Sequence, residues 1–506
     1  MRLGETLVKA IDTLRRRLTH GRDILDTKIK WAVVGLALAT VVVLGVLMVQ
    51  RAAFSTELNS DFITYRAAGW AVLTGSDIYQ VQNPRGWPYV YPPPFAILMT
   101  PFAEMSAFTG SILWYVLSVI LVVSSVQMSV TMVRGALGRF GQNPFWLYVL
   151  PFVMVLLWVG QGAVEGQATI LTLWLLMLAL SRSQRGRNIS GGMALACAAL
   201  LKAFPLALLA YFTWKKRWRL VMAMMTALIV GGIVLPALVY GWQRNLMYWQ
   251  EWVTAVAQPS LADGALGLQS EVTDRVLSPD NPRNQAIHAV LWRLGAENQA
   301  RFLTAAIGLM MALAMLVVAR RTQPQQDLLI AAAWLVWILV ITPVSHFHHH
   351  VLVLLPMTEL AFLALVNTDL LLTTLVRVTL IVYLLASVST LALPPLQYIG
   401  LLCWTTLGLW AVLLFVAVRY DTHPAVSTTG GNSQSKTVVR RHVSNWISGH
   451  RLAGEVTTNS RSISIAKSNT RCITYRSGSS NIRCQVEFMN RNHARSVEFV
   501  EVSRES

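Results

Sequence analysis

The side chains best equipped for chemistry lie beside long apolar runs, or inside them. The first group is in "NSDFITYRAAGWAVLTGSDIY", Asn59–Tyr79, where a carboxylate, Asp61, is followed one helical turn later by Tyr65 and Arg66. Next come Tyr91 in "YVYPPP" (Tyr89–Pro94), and Glu165 and Gln167 in "GQGAVEGQ". Lys202 sits in the middle of "GGMALACAALLKAFPLALLAYFTW" (Gly191–Trp214), and His346, His348, His349 and His350 make up "HFHHH". A carboxylate can take a proton from a hydroxyl. Ammonium, guanidinium and imidazole groups can hold an anionic leaving group. Phenols and a carboxamide can orient a neighbouring polar group.

Each of these residues has a plainer reading. Asp61 suits the N-cap of an interfacial helix starting near Phe62. Asp77 follows Gly75 and Ser76 and reads as a turn acid. Tyr89, Tyr91 and the prolines suit an aromatic belt at a membrane surface. "HFHHH" could ligate a metal, but Cys, Asp or Glu partners at zinc spacing are missing nearby, so no metal and no cofactor are expected. Lys202 could snorkel to the interface. Its central position, next to Pro205, argues against that.

The elements that must position these residues are membrane spans. The chain has 506 residues, 54% hydrophobic and only 13% charged, against about 25% charged in a soluble domain. Apolar blocks of roughly 20 residues are long enough to cross a bilayer. The net charge of +18 gathers beside these blocks, as the positive-inside rule expects, so nucleic acid is not the expected partner. The spacing predicts an all-α polytopic integral membrane protein. Its spans lie near 31–50, 111–133, 144–160, 167–181, 218–240, 301–319, 328–342, 350–366, 370–388 and 398–418, with large outer loops at 51–110 and 241–300. Both termini are then cytoplasmic. Residues 1–30 form a basic cytoplasmic segment, 31–420 the transmembrane domain, and 421–506 a basic cytoplasmic tail read as disordered from its Ser, Thr, Asn and Arg content.

The run Gly191–Trp214 breaks the count. Arg182, Arg185 and Arg187 precede it, and Lys215, Lys216, Arg217 and Arg219 follow. A single crossing would strand one cluster on the wrong side. Lys202 and Pro205 in its middle disfavour a continuous span. The run therefore reads as two half-helices that enter and leave from the cytoplasm. That places Lys202 toward the inner half, either as a substrate group or as a stabiliser of broken backbone. On this topology Asp61, Tyr65, Arg66, Tyr91, Glu165, Gln167, Trp249, Gln269, Ser270 and the histidines share the outer side.

The ordered stretches "DFITYRAAGWAVLTGSDIY", "YVYPPPFAILMTPFA", "GQATILTLWLLMLALSR", "GGMALACAALLKAFPLALLAYFTWKKRW" and "TPVSHFHHHVLVLLP" resemble glycosyltransferase family 87 over about residues 30–420. Members are GT-C type integral-membrane enzymes, including polyprenol-phosphate-mannose-dependent α-1,2-mannosyltransferases of actinobacteria. The resemblance implies a polyprenyl-phosphate sugar donor, mannose by default, and a glycolipid or polysaccharide acceptor. It also implies a multi-pass protein of the plasma membrane, surrounded by membrane lipids, with its site facing outside or the periplasm. Asp61 matches the family's acid in the first outer loop, taken as the catalytic base, and Lys202 the lysine of its "K..P" motif. Thr342 replaces the first Ser of the family's last motif, His346 its Trp and Phe347 its usual Asp, while His348 and His349 keep the histidines. Tyr65, Arg66, Tyr91, Gln167, Lys202, His348 and His349 are the expected substrate-binding residues. A transporter or flippase of a lipid-linked sugar is the competing class, since broken helices are transporter features, but no repeated half is found.

Overall fold

A computed structural model describes residues 2–420 apart from 56–59, 85, 139–144, 258–277, 322–325 and 368, together with the strands between 455 and 503. Gln269 and Ser270 lie outside the described residues. Backbone polar groups in hydrocarbon must be satisfied within the segment itself, which drives apolar runs of this length into helices. Among the described residues, eight helices are long and apolar enough to cross a membrane.

In chain order the main helices are α1 (Asp26–Phe54), α2 (Asp61–Thr74), α3 (Ala107–Leu137), α4 (Phe145–Glu165), α5 (Thr169–Gln184), α6 (Asn188–Leu201) and α7 (Phe204–Trp214). They continue with α8 (Trp218–Tyr240), α9 (Trp242–Trp252), α10 (Ala300–Arg321), α11 (Asp327–Ile341), α12 (Phe347–Val366), α13 (Leu370–Ala392) and α14 (Leu401–Arg419). Burial separates their roles. Only 6% of the most apolar stretch of α1 is buried, against 83% for α12. Helix α1 therefore offers most of its surface to lipid, while α12 is the central post of the bundle. The histidines stand at the first turns of that post, and those turns are 3₁₀ rather than α.

Two of the ten expected spans are shorter than a crossing. The fourth is α5, of 16 residues, and the seventh is α11, of 15 residues. At 1.5 Å per residue each covers about 24 Å or less, short of a hydrocarbon core of about 30 Å. Both stop where the chain turns irregular. Helix α5 begins just after a turn at Gly166, and α11 ends at Thr342, ahead of His346. Such backbone is tolerated at depth where protein surrounds it.

The broken hairpin is present. Helix α6 ends at Leu201, Lys202 is extended, and α7 opens with a 3₁₀ turn containing Pro205. A Cβ on Gly192, near the start of α6, would lie 2.3 Å from the Leu220 carbonyl near the start of α8. At the other end of α6, Leu200 packs against Gly231 and Gly232 of α8. Thus α6 and α8 run parallel, and α7 carries the chain back between them. The flanking basic clusters consequently meet at one end, where Lys215 Nζ pairs with Asp327 Oδ1 at 2.6 Å. Single cysteines at Asn188 and Lys216 should react with an impermeant thiol reagent from the same side of the membrane. Labelling from opposite sides would rule the hairpin out.

Five strands are described between 455 and 503. Strands β1 (Glu455–Thr458), β2 (Arg461–Ile463), β3 (Thr470–Ser477), β4 (Asn481–Met489) and β5 (Arg495–Ser503) form one sheet in the order β2-β1-β3-β4-β5. β1 and β3 are parallel and the other pairs antiparallel. In β4, Ile482, Cys484, Val486 and Phe488 alternate with polar residues, a period of two.

Candidate active site

Five separate segments converge on one polar cluster. Helix α2 brings Asp61 at its first position and Tyr65 one turn later, on the same face. The N-cap is Ser60, not Asp61. Asp61 is thereby released from capping, and its Oδ2 accepts a hydrogen bond from Gln167 Nε2. Asp77, by contrast, does close a turn, accepting from the Tyr79 N–H at 2.9 Å.

Gln167 is the hub. Its nitrogen donates to Asp61, so its oxygen must accept from the other side. That oxygen faces Tyr91 Oη at 3.2 Å, Lys202 Nζ at 3.4 Å and Tyr65 Oη at 3.5 Å. The two phenols also bond to each other at 2.6 Å. Both rings are buried, with Phe95 edge-on to Tyr65.

The turn carrying Gln167 is locked to the start of α2. Gly166 adopts φ +70°, and a Cβ there would lie 2.8 Å from both Phe62 Cβ and Ser60 Oγ. Only glycine meets both demands without strain. Ser60 Oγ donates to the Glu165 carbonyl at 3.1 Å, and Trp114 Nε1 to the Gly166 carbonyl at 3.0 Å.

Lys202 belongs to the same cluster. The hairpin tip lifts its Nζ to Thr169 Oγ1 at 2.8 Å and His349 Nε2 at 3.2 Å, with the Tyr91 ring centre 5.5 Å away. His348 Nδ1 lies 3.5 Å from Glu165 Oε2, and Gln161 Nε2 donates to Glu165 Oε1 at 3.2 Å. His350 belongs elsewhere, with its Nδ1 3.3 Å from Tyr383 Oη.

Of the expected residues, Asp61, Tyr65, Tyr91, Gln167, Lys202, His348 and His349 come together. Arg66 turns away, its Nε donating to the Met105 carbonyl at 2.9 Å. Glu165 and Thr169 join the cluster without having been assigned a role. Their signal was the polar break "GQGAVEGQAT" between two apolar runs.

Burial pushes the Asp61 carboxyl up to about 7, and the neighbouring Glu165 adds to the rise. Lys202 when charged, the Gln167 bond and Arg51 pull the other way. A carboxyl that titrates near neutrality is matched to accepting a proton from a hydroxyl. An amine, an imidazole and two phenols within one hydrogen-bonded network can hold an anion beside it.

The model of glycosyltransferase family 87 matches residues 89–345, half of the 506-residue chain. The polyprenol-phosphate-mannose-dependent alpha-(1-2)-phosphatidylinositol mannoside mannosyltransferase of Mycolicibacterium smegmatis is 24% identical over 379 residues, covering 70% of this chain and 80% of that relative. Among solved structures, ArnT from Cupriavidus metallidurans bound to undecaprenyl phosphate aligns over 77% of each chain at 16% identity and a TM-score of 0.36. The family match spans Tyr91, Glu165, Gln167, Thr169 and Lys202, with Asp61 before it and His348 and His349 just after. A chain with this helical membrane domain, this site and this match belongs to glycosyltransferase family 87.

Proposed function

We propose that the protein transfers mannose from a polyprenyl-phosphate donor to a hydroxyl of a glycolipid or polysaccharide acceptor, on the outer face of the plasma membrane, with inversion. The observation that carries this reading is the single hydrogen-bonded line Asp61–Gln167–Lys202–His349. It sets one proton acceptor beside a cluster of donors suited to a phosphate. The activity named for the mycobacterial relative supports the donor and the sugar.

In the transfer, Asp61 takes the acceptor hydroxyl proton as its oxygen bonds to the anomeric carbon. The bond from that carbon to the phosphate oxygen breaks, and its electron pair stays on the phosphate. Lys202 Nζ and His349 Nε2 stabilise the charge that develops there. One base and a direct displacement invert the anomeric centre, so a β-linked donor yields an α product. Tyr65 and Tyr91 hold the Gln167 carboxamide, which in turn aims the Asp61 carboxylate.

The test is product formation by the purified full-length protein in detergent, with polyprenyl-phosphate mannose and a lipid mannoside acceptor. An α-mannosylated product is expected; a product of retained configuration, or no transfer to any such acceptor, overturns the reading. The pH dependence adds a second check. The reactive form is the carboxylate, so kcat at saturating donor should rise with pH and level off above about 7. An inflection near the usual carboxyl value of 3.8 would mean that Asp61 is not desolvated as the structure has it.

A further inference from the structure

The contacts around His349 fix where its proton sits. The backbone N–H of His346 donates to His349 Nδ1 at 3.0 Å. A backbone N–H can only donate, so Nδ1 is bare and the neutral ring carries its proton on Nε2. That Nε2 lies 3.2 Å from Lys202 Nζ. An ammonium has three N–H donors and no lone pair, so a charged Lys202 would set donor against donor. The contact is a hydrogen bond only when the amine is uncharged and accepts from Nε2–H. A neutral amine has one lone pair and two N–H groups. Its other two neighbours are acceptors, Thr169 Oγ1 at 2.8 Å and Gln167 Oε1 at 3.4 Å. The three contacts use the bonding capacity of a neutral amine in full.

We infer that the Lys202–His349 pair is uncharged in the empty enzyme and takes up one proton from solvent when an anionic phosphodiester binds beside it. The inference rests on the donor class and phosphate position proposed above. A phosphate oxygen accepts from His349 Nε2–H and frees the lone pair of Lys202. The proton leaves solvent and adds to Nζ, and no bond of the ligand changes. The resulting charge offsets the single charge of the diester where water is scarce. Tyr91 beside Lys202, Asp61 on α2, Glu165 on α4, and the imidazoles of His346 and His348 are the other titratable groups around the pair, with His350 set against Tyr383. Asp61 also titrates near neutrality, and Lys202→Arg keeps it, so uptake that persists in that variant belongs to Asp61 and overturns the inference.

The experiment is calorimetric titration of the full-length protein in detergent with a polyprenyl methyl phosphodiester. A diester has no second ionisation near neutrality, unlike a monoester, so any proton exchanged belongs to the protein. Repeating the titration in buffers of different ionisation enthalpy should give uptake of about one proton per diester on the alkaline side of neutrality. Affinity should fall about tenfold per pH unit there. Lys202→Arg is permanently charged, and His349→Gln offers a carboxamide oxygen to an ammonium. Both variants should bind the diester without proton uptake. Wild-type binding without net uptake overturns the inference and leaves the proposed function standing. Lys202→Met binding as tightly as wild type removes the phosphate from Lys202 and sinks both the placement and the inference. No wild-type binding of the diester at all counts against the polyprenyl-phosphate reading itself.

Discussion

Asp61→Asn lowers kcat by about two to four orders of magnitude, the range for losing a positioned general base. The variant should stay folded, because the contacts that build the site do not need the charge. Asn keeps an oxygen that accepts from Gln167 Nε2, the contact that aims the wild-type carboxylate. The cap of α2 is Ser60, so no cap is lost. What is lost is the favourable placement of a negative charge in the first helical turn, worth about 0.3–1 kcal/mol. Removing a half-buried carboxylate beside Glu165 offsets part of it. The measurement is kcat beside the thermal midpoint in detergent. Near-normal turnover in a stable variant would reduce Asp61 to a partner of Gln167. Inactivity that only follows unfolding would equally remove it as the base.

The second large effect is expected at Lys202. Lys202→Met keeps the length of the stem and removes the amine, and kcat/KM should fall about 10²–10³-fold, as when one oriented donor to a developing anion is lost. The break between α6 and α7 should survive, because Pro205 and the extended backbone remain. Gln167 keeps a phenol donor to its oxygen, with Tyr91 Oη at 3.2 Å and bonded in turn to Tyr65. The alternative role for Lys202, holding the broken backbone together, predicts a different pattern: activity would track the fall in thermal midpoint. A loss of kcat at an unchanged midpoint separates the two.

Much of the architecture is legible in the sequence. The hairpin was legible because three local signals agreed. Positive charge flanks Gly191–Trp214 on both sides, Lys202 cannot rest in lipid, and Pro205 breaks a helix. Asp61, Gln167, Lys202 and the His348–His349 pair stood out because polar residues are costly next to apolar runs. The two short helices, α5 and α11, were read as full spans, since a hydropathy pattern does not show where a helix must stop to make room for a site.

What the sequence determined by itself is therefore the membrane class, the helical runs, the position of the break and a short roster of reactive side chains. These follow from local physics, namely the cost of exposing backbone or charge to hydrocarbon. Which of those side chains meet is set by the packing of the helices. Arg66 looked as suitable as Lys202, yet it spends its guanidinium Nε on the Met105 carbonyl, while the hairpin tip carries Lys202 to Gln167, Thr169 and His349. Glu165 and Thr169 enter the cluster for the same reason, because the Gly166 turn packs on Phe62 at the start of α2. Those contacts join residues as far apart as Asp61 and His349 in sequence. Packing of whole helices sets such long-range distances, and no local pattern encodes them.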